Sequence, residues 1–125
     1  MQNARIFLVE DDRIIRRLVV DKLTKAGHLV VLEAIDLFGA MGIIKSGLLQ
    51  EKGVNVAIID GIFPRYSRKA LVGTELLGPE VAEKIRNLRL PIKVIAFTSL
   101  DRKFAPYGDV YVYKGSSLEK AIKAL

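Results

Sequence analysis

The chain has 125 residues, of which 50% are hydrophobic, and its formal net charge is +6. A chain of this length can bury a core of its own, and its hydrophobic content excludes a disordered protein. No apolar run approaches the roughly 18 residues that a membrane span needs, and the absence of cysteine excludes disulfides and thiolate metal sites. We therefore expect one cytoplasmic domain that covers residues 1–125.

The first half of the chain alternates between strand and helix patterns. Residues 5–9 form an apolar run that predicts a strand covered on both faces. Between residues 12 and 26 the apolar side chains fall on one helical stripe, and Gly27 predicts the end of that helix. Residues 28–33 predict a second strand. Asp36 predicts the N-cap of a second helix, which we expect to end between residues 46 and 49.

The second half of the chain continues this alternation. Residues 54–59 give the strongest strand pattern in the sequence, and the strand ends on Asp60. Pro79 suits the first turn of a helix that continues through residue 88. Residues 92–97 and 109–113 predict the fourth and fifth strands. Ser116 and Glu119 have the spacing of a capping box, which predicts a short last helix up to residue 125.

The alternation predicts a parallel α/β sheet with right-handed crossovers. In such sheets, ligands bind outside the carboxyl ends of the strands. Glu10 and Asp11 follow the first strand, and Asp60 follows the third. Thr98 follows the fourth strand and Lys114 follows the fifth. The sequence therefore predicts that three carboxylates, a hydroxyl and an ammonium group converge at one rim of the sheet.

This set of side chains suits a metal-bound phosphoryl group. Carboxylates that lie close together repel one another unless a cation lies among them. Oxygen ligands without His or Cys select a hard ion, and we expect Mg²⁺. The metal and Lys114 would offset the charge that develops during phosphoryl transfer, while Asp60 acts as the nucleophile and becomes an aspartyl phosphate.

The same residues resemble those of response-regulator receiver domains, which act in two-component signalling, and the resemblance covers nearly the whole chain. It rests on FLVEDD at residues 7–12, on IID at residues 58–60 with Pro64 four residues later, on IAFTS at residues 95–99 and on YVYK at residues 111–114. The resemblance implies a flavodoxin-like, doubly wound parallel sheet of five strands in the order 2-1-3-4-5.

The resemblance also implies roles for the site residues and a set of partners. Asp60 would receive the phosphoryl group, Lys114 would contact it, and Thr98 would close on it in the active state. Tyr111 would be the switch aromatic. A histidine kinase or phosphotransfer protein would supply the phosphoryl group, and a downstream effector protein would respond to it. Any catalysis would be limited to self-catalysed phosphotransfer and autodephosphorylation. The implied ligands of Mg²⁺ are Glu10, Asp11, Asp60 and the backbone carbonyl of Ile62.

The sequence departs from the family in the connection that follows Asp60. The family has only a few residues here, so we interpret residues 65–77 as mostly an insertion. The insertion begins with basic residues and continues into large aliphatic side chains. Because long loops in compact domains are often functional, we expect this one to fold over the edge of the site and to contact a partner. Its aliphatic residues are Leu71, Val72, Leu76 and Leu77.

Two further departures concern the last third of the chain. Only residues 99–108 separate the fourth and fifth strands, whereas a crossover with its helix needs at least about 10–12 residues. We therefore expect the fourth helix to be about one turn long or missing. Gly115 follows Lys114 where the family usually has a proline in a cis peptide, and we expect a trans peptide here because a cis bond before a non-proline residue is costly.

Other interpretations of the same residues remain open. The acidic residues before the first helix could act only as its cap, and Lys114 could be a surface lysine. The chain could then be a pseudo-receiver, which binds a partner independently of phosphorylation. The positive net charge, together with the basic residues in the first helix and the insertion, also allows a nucleic-acid-binding module.

Overall fold

The computed structural model describes residues 1–67 and 73–125. Its helices are α1 (Arg13–Lys25), α2 (Leu37–Lys45), α3 (Leu48–Glu51), α4 (Gly78–Asn87) and α5 (Leu118–Lys123), and a 3₁₀ turn spans Arg102–Phe104. Its strands are β1 (Arg5–Val9), β2 (Leu29–Ala34), β3 (Val56–Ile59), β4 (Ile62–Pro64), β5 (Thr74–Leu76), β6 (Lys93–Thr98) and β7 (Val110–Tyr113).

Five of the strands form a parallel sheet in the order β2-β1-β3-β6-β7. These are the five strands expected from the sequence, so the predicted order 2-1-3-4-5 is confirmed. Alternate side chains of the central strands point to opposite faces of the sheet. Phe7 and Ile59 pack against α2 and α4, whereas Leu8 and Ile58 pack against α1 and α5. The sheet is therefore covered on both faces, which confirms the doubly wound, flavodoxin-like class.

The caps of the helices agree with the sequence in most places. Asp12 accepts hydrogen bonds from the backbone N–H groups of Ile14 and Ile15, and Gly27, with a φ of 91°, follows the end of α1. Asp36 is the N-cap of α2, as predicted. This helix ends at Lys45, slightly earlier than expected, and a separate turn of helix, α3, follows it.

The predicted cap of the last helix was wrong by one residue. Ser117, and not Ser116, is the N-cap of α5, and its hydroxyl accepts a hydrogen bond from the backbone N–H of Lys120. The hydroxyl of Ser117 also lies 2.7 Å from Oε2 of Glu119, so the acidic side chain does contact the cap. The spacing to Glu119 favoured Ser116 over the adjacent Ser117, but the cap forms on Ser117.

The segment that follows Asp60 contains a second, two-stranded sheet that the sequence did not predict. Strands β4 and β5 pair antiparallel, with Ile62 opposite Leu76 and Phe63 opposite Glu75. Phe63 is fully buried, whereas Leu76 is exposed. The alternation of side chains therefore anchors the hairpin through Phe63 and turns Ile62 and Leu76 outward. Leu71 and Val72, which the sequence analysis named in this segment, lie outside the described residues.

Hydrogen bonds to α2 hold the free end of strand β4 in place. The Asp36 carboxylate accepts a hydrogen bond from the backbone N–H of Ser67 at 2.9 Å, in addition to its capping bond from Gly39 at 2.7 Å. The backbone N–H of Phe38 donates to the carbonyl of Arg65 at 3.0 Å. Asp36 is thus both a helix cap and an anchor of the hairpin.

The connection between β6 and β7 is as short as predicted. Its helical structure is limited to the 3₁₀ turn Arg102–Phe104, which confirms that the fourth helix of the resemblance is reduced to one turn. No peptide bond in residues 1–67 or 73–125 is cis, so the trans link between Lys114 and Gly115 is also confirmed. Within the same residues, no helix is both long and apolar enough to cross a membrane.

Candidate functional site

Three carboxylates and one ammonium group meet at the carboxyl rim of the sheet. Glu10, Asp11 and Asp60 each present an oxygen within 4.8 Å of the others. The ammonium nitrogen of Lys114 lies 2.6 Å from Oε1 of Glu10 and 3.1 Å from Oδ2 of Asp60. The structure therefore brings together these four residues, which stand at the ends of β1, β3 and β7.

Burial shifts the pKa values of the charged groups in this cluster. The Glu10 residue is 0% exposed, and burial, followed by the negative charge of Asp60, raises its pKa from 4.5 to about 8. Lys114 opposes this rise but does not cancel it. Burial alone would lower the pKa of Lys114, but its contacts with Glu10 and Asp60 outweigh burial and raise that pKa. One ammonium group is therefore insufficient to balance the carboxylates around it.

The donor set fits a hard divalent cation. Among the described residues, Oε1 of Glu10 is a buried oxygen without an aligned hydrogen bond, although the ammonium of Lys114 contacts it as an ion pair. Asp11 is partly exposed and Asp60 is buried, so a cation would have access from solvent. Oxygen-only ligands with surplus negative charge suit Mg²⁺. Ile62 begins β4, and the role of its backbone carbonyl as a ligand stays a prediction.

Arg16 fixes the backbone of the acidic pair. Its guanidinium donates to the backbone carbonyl of Glu10 at 3.1 Å and lies 3.4 Å from a carboxylate oxygen of Glu33 on β2. No role for Arg16 was predicted from the sequence. The structure shows that this side chain holds the end of β1 from the first turns of α1.

The two predicted switch residues meet at Leu100. Thr98 is buried, and its hydroxyl oxygen accepts a hydrogen bond from the backbone N–H of Leu100 at 3.2 Å. The hydroxyl of Tyr111 donates to the carbonyl oxygen of Leu100. A Cβ built on Gly61 would lie 3.0 Å from the Thr98 hydroxyl oxygen and 3.0 Å from the Leu100 side chain. The predicted hydroxyl is therefore beside the loop that follows Asp60.

Tyr107 is a residue near the site that sequence reasoning missed. It is only 5% exposed, and its hydroxyl donates to the backbone carbonyl of Ile59 at 2.8 Å. Burial, followed by the negative charges of Asp60 and Glu10, raises its pKa. No local pattern distinguished this tyrosine from a surface residue in a short loop, because its role depends on the fold that brings residue 107 beside β3.

Comparisons with known proteins identify the fold but not a close relative. No protein-family model and no curated protein sequence matches the chain. Among solved structures, a LuxR-family two-component response regulator from Aurantimonas sp. SI85-9A1 is 27% identical, with a TM-score of 0.75, over 98% of this chain and 84% of that chain. The NarL receiver domain from Mycobacterium tuberculosis is 23% identical, with a TM-score of 0.70, over 99% of this chain and 94% of that one.

A third neighbour adds chemical information about its own site. The response regulator TrrA from Thermotoga maritima, solved in complex with Mg²⁺ and BeF, is 25% identical to this chain, with a TM-score of 0.69, over 97% of this chain and 94% of that one. These neighbours are receiver domains or response regulators, and the match extends over nearly the whole chain. The chain has the fold of response-regulator receiver domains, and the resemblance seen in its sequence is confirmed.

Proposed function

We propose that the chain is a phosphorylation-dependent signalling switch that accepts a phosphoryl group on Asp60. The observation that carries this proposal is the position of the Asp60 carboxylate at the end of β3, 3.1 Å from the ammonium of Lys114 and within 4.8 Å of Glu10 and Asp11. A nucleophilic carboxylate beside fixed positive charge and metal-binding oxygens is the arrangement that phosphoryl transfer requires. The receiver fold of the neighbours supports the same function.

In this proposal, the side chains at the rim have different roles in phosphoryl transfer. An oxygen of Asp60 would form a bond to the phosphorus of the donor, while the bond between phosphorus and the leaving group breaks and the leaving group retains the electron pair. Lys114 would neutralise charge on the transferred group. The Thr98 hydroxyl accepts from Leu100 and can still donate its proton to a phosphoryl oxygen. Any catalysis by the chain is limited to this self-phosphorylation and to autodephosphorylation.

Mg²⁺ is the cofactor that we propose for this site. Its proposed ligands are Glu10, Asp11, Asp60 and the backbone carbonyl of Ile62, and when bound it would supply positive charge to the phosphoryl oxygens. Because the pKa of Glu10 is raised to about 8, this side chain must lose a proton before it can bind a cation. The affinity for Mg²⁺ should therefore increase with pH.

The proposed partners are a phosphodonor protein and an effector. One structural neighbour is CheY6 from R. sphaeroides, solved in complex with the P1 domain of CheA3. That neighbour supports a histidine kinase or phosphotransfer protein as the donor for Asp60. A cytoplasmic location is part of this proposal. The comparisons do not favour the two alternatives, a pseudo-receiver and a nucleic-acid-binding module.

Phosphorylation can be measured as added mass. After treatment with acetyl phosphate and Mg²⁺, we expect the intact protein to gain one phosphoryl group, and Asp60→Asn should abolish the gain. The control is Asp21→Asn, which changes an exposed aspartate on α1 and should be labelled like the wild type. Labelling that persists in Asp60→Asn would show that the phosphoacceptor is elsewhere.

Metal binding can be separated from capping at the acidic pair. Asp11→Ala should weaken Mg²⁺ binding and slow labelling together, because the exposed carboxylate is a proposed ligand and takes no part in the cap of α1. An unchanged Mg²⁺ affinity in Asp11→Ala would remove this residue from the metal site.

The hairpin is the proposed partner-contact element. Leu76 is 51% exposed, and it faces outward beside Ile62, two residues after Asp60. In Leu76→Ser, transfer from a phosphotransfer protein should slow while labelling by acetyl phosphate is unchanged, because only the protein donor covers this surface. Leu88→Ser, at the far end of α4, is the matched control. Equal transfer rates in both variants would show that the hairpin is a structural element that does not contact the phosphotransfer protein.

A further inference from the structure

The peptide group that precedes Asp60 is held on both sides. Its N–H, which belongs to Asp60, donates to the carbonyl of Val9 on β1 at 3.0 Å. Its carbonyl, which belongs to Ile59, accepts a hydrogen bond from the Tyr107 hydroxyl at 2.8 Å. Because a peptide group is planar, two bonds from opposite sides fix its orientation and, with it, the direction in which the Asp60 side chain leaves the backbone.

The next two peptide groups are restrained by the start of α4. The carbonyl of Gly61 accepts hydrogen bonds from the backbone N–H groups of Leu77 and Gly78, each at 3.0 Å. A Cβ at Gly78 would lie 2.7 Å from the carbonyl oxygen of Asp60 and 2.8 Å from Cζ of Tyr107. Tyr107 therefore packs against the turn of backbone that carries the phosphoacceptor, and its ring leaves no space for a side chain at residue 78.

The tyrosine itself is firmly held in this position. The Arg86 guanidinium, on α4, donates a hydrogen bond to the backbone carbonyl of Tyr107 and also lies 3.7 Å from Oδ1 of Asp109. Because burial and nearby carboxylates raise the pKa of the Tyr107 phenol, its hydroxyl stays protonated and remains a donor. Breaking the hydrogen bond from this buried hydroxyl to the Ile59 carbonyl would be costly, because the donor would lose its acceptor.

We propose that Tyr107 is a positioning residue for Asp60: its hydroxyl orients the peptide group that precedes the phosphoacceptor, and it touches no reacting atom. The inference rests on the proposed function of Asp60 for its kinetic consequence, but the geometry can be tested without phosphorylation. Through Tyr107, the connection between β6 and β7 would influence the reactivity of the Asp60 carboxylate, which follows β3.

The kinetic test compares Tyr107→Phe with Tyr113→Phe. Phenylalanine keeps the ring that packs on Gly78 and removes only the hydroxyl, whereas Tyr113 is 52% exposed and serves as the control. We expect the maximal rate constant of labelling by acetyl phosphate to fall about five-fold in Tyr107→Phe, since one buried hydrogen bond is lost. The acetyl phosphate concentration at half-maximal rate should change by less than about two-fold. Tyr113→Phe should behave like the wild type.

The structural test uses amide hydrogen exchange in the absence of any phosphodonor. In Tyr107→Phe, the amide of Asp60 should exchange about ten-fold faster relative to the amides of Ile6 and Ile58, which report global opening. If all of these amides accelerate by one common factor and the labelling rate is unchanged, Tyr107 contributes only to stability and the proposal is overturned. If the wild type is not labelled at all, the proposed function fails, and selective exchange at Asp60 alone decides the positioning role.

Discussion

Two connections at the carboxyl rim of the sheet differ in length, but each is bonded to backbone next to Asp60. The connection from β3 to α4 contains a hairpin, and its base is held by backbone N–H groups that donate to Gly61. The connection from β6 to β7 contains one 3₁₀ turn, and it is held by the hydroxyls of Tyr107 and Tyr111, which donate to the carbonyls of Ile59 and Leu100. The comparison shows that order near Asp60 depends on where a connection is bonded and not on how long it is.

The largest effect is expected when a side chain is added at Gly78, at the end of the long connection from β3 to α4. In Gly78→Ala, the new Cβ would meet the backbone oxygen of Asp60 at 2.7 Å, and backbone cannot move aside as a flexible side chain does. We expect the free energy of unfolding to fall by about 2–3 kcal/mol in urea titrations.

Gly42→Ala is the control for this substitution. Gly42 lies inside α2, and a Cβ added there would meet no atom within 4 Å, so alanine should leave stability unchanged or raise it by up to about 1 kcal/mol. Equal effects of the two substitutions would show that the close contact between the long connection and Asp60 relaxes at little cost.

The second effect concerns Glu10, which follows β1 and lies beside Asp60. Its pKa is raised from 4.5 to about 8, so between these values the folded protein binds more protons than the unfolded chain. The free energy of unfolding of the metal-free protein should therefore fall as the pH rises from about 5 to about 8.

Denaturation series in a chelating buffer would measure this dependence. Glu10→Gln should flatten it, because glutamine reproduces the uncharged carboxyl at every pH, whereas Glu83→Gln, an exposed residue of α4, should not. A slope that persists in Glu10→Gln would assign the pH dependence to another group.

The third effect tests the anchor of the long connection on α2. Asp36→Ala removes both the capping bond to Gly39 and the bond from Ser67, and we expect a loss of about 1–2 kcal/mol. Asp12→Ala, which removes a cap bonded to Ile14 and Ile15 of its own helix, should cost about 1 kcal/mol. Faster amide exchange at Ser67 in Asp36→Ala alone would confirm that this carboxylate holds the hairpin. Unchanged exchange there would leave it as a cap only.

The smallest effect is expected for an exposed ion pair of the hairpin. Arg65 and Glu75 form an ion pair at 2.8 Å between side chains that are both about half exposed. Solvent and salt screen such a pair, so Arg65→Ala should leave the thermal midpoint unchanged within error. A clear drop that disappears at high salt would show that the pair does contribute to the long connection.

The parts of the fold that the sequence predicted are those with a regular pattern. The buried strands appeared as apolar runs, the alternation of strands with helices predicted a parallel sheet, and the strand order was implied by the resemblance. The convergence of Glu10, Asp60 and Lys114 could be predicted because all parallel strands present their carboxyl ends at one rim. The fold class and the shortened fourth helix are confirmed, whereas the roles of the site residues stay predictions.

The parts that the sequence did not predict depend on contacts between distant residues. Strand β4 contains Pro64 and is only three residues long, so it has no recognisable strand pattern. The second role of Asp36 requires Ser67, which lies 31 residues away. The position of Tyr107 beside Ile59 follows only once β3 and β6 are paired. None of these contacts leaves a periodic signal.

The hydrogen bonds at the base of the long connection have a consequence for protein engineering. Because the Gly61 carbonyl already joins the start of this segment to its end at Leu77 and Gly78, the length of the intervening chain is uncoupled from the position of Asp60. The entropy of closing a flexible loop grows only with the logarithm of its length, and each doubling costs about 0.6 kcal/mol. We therefore expect the protein to accept a foreign peptide, such as an epitope or a sensor segment, when it is inserted between β4 and β5. The same graft between β6 and β7 would displace Tyr107, which this short connection places against the backbone next to Asp60.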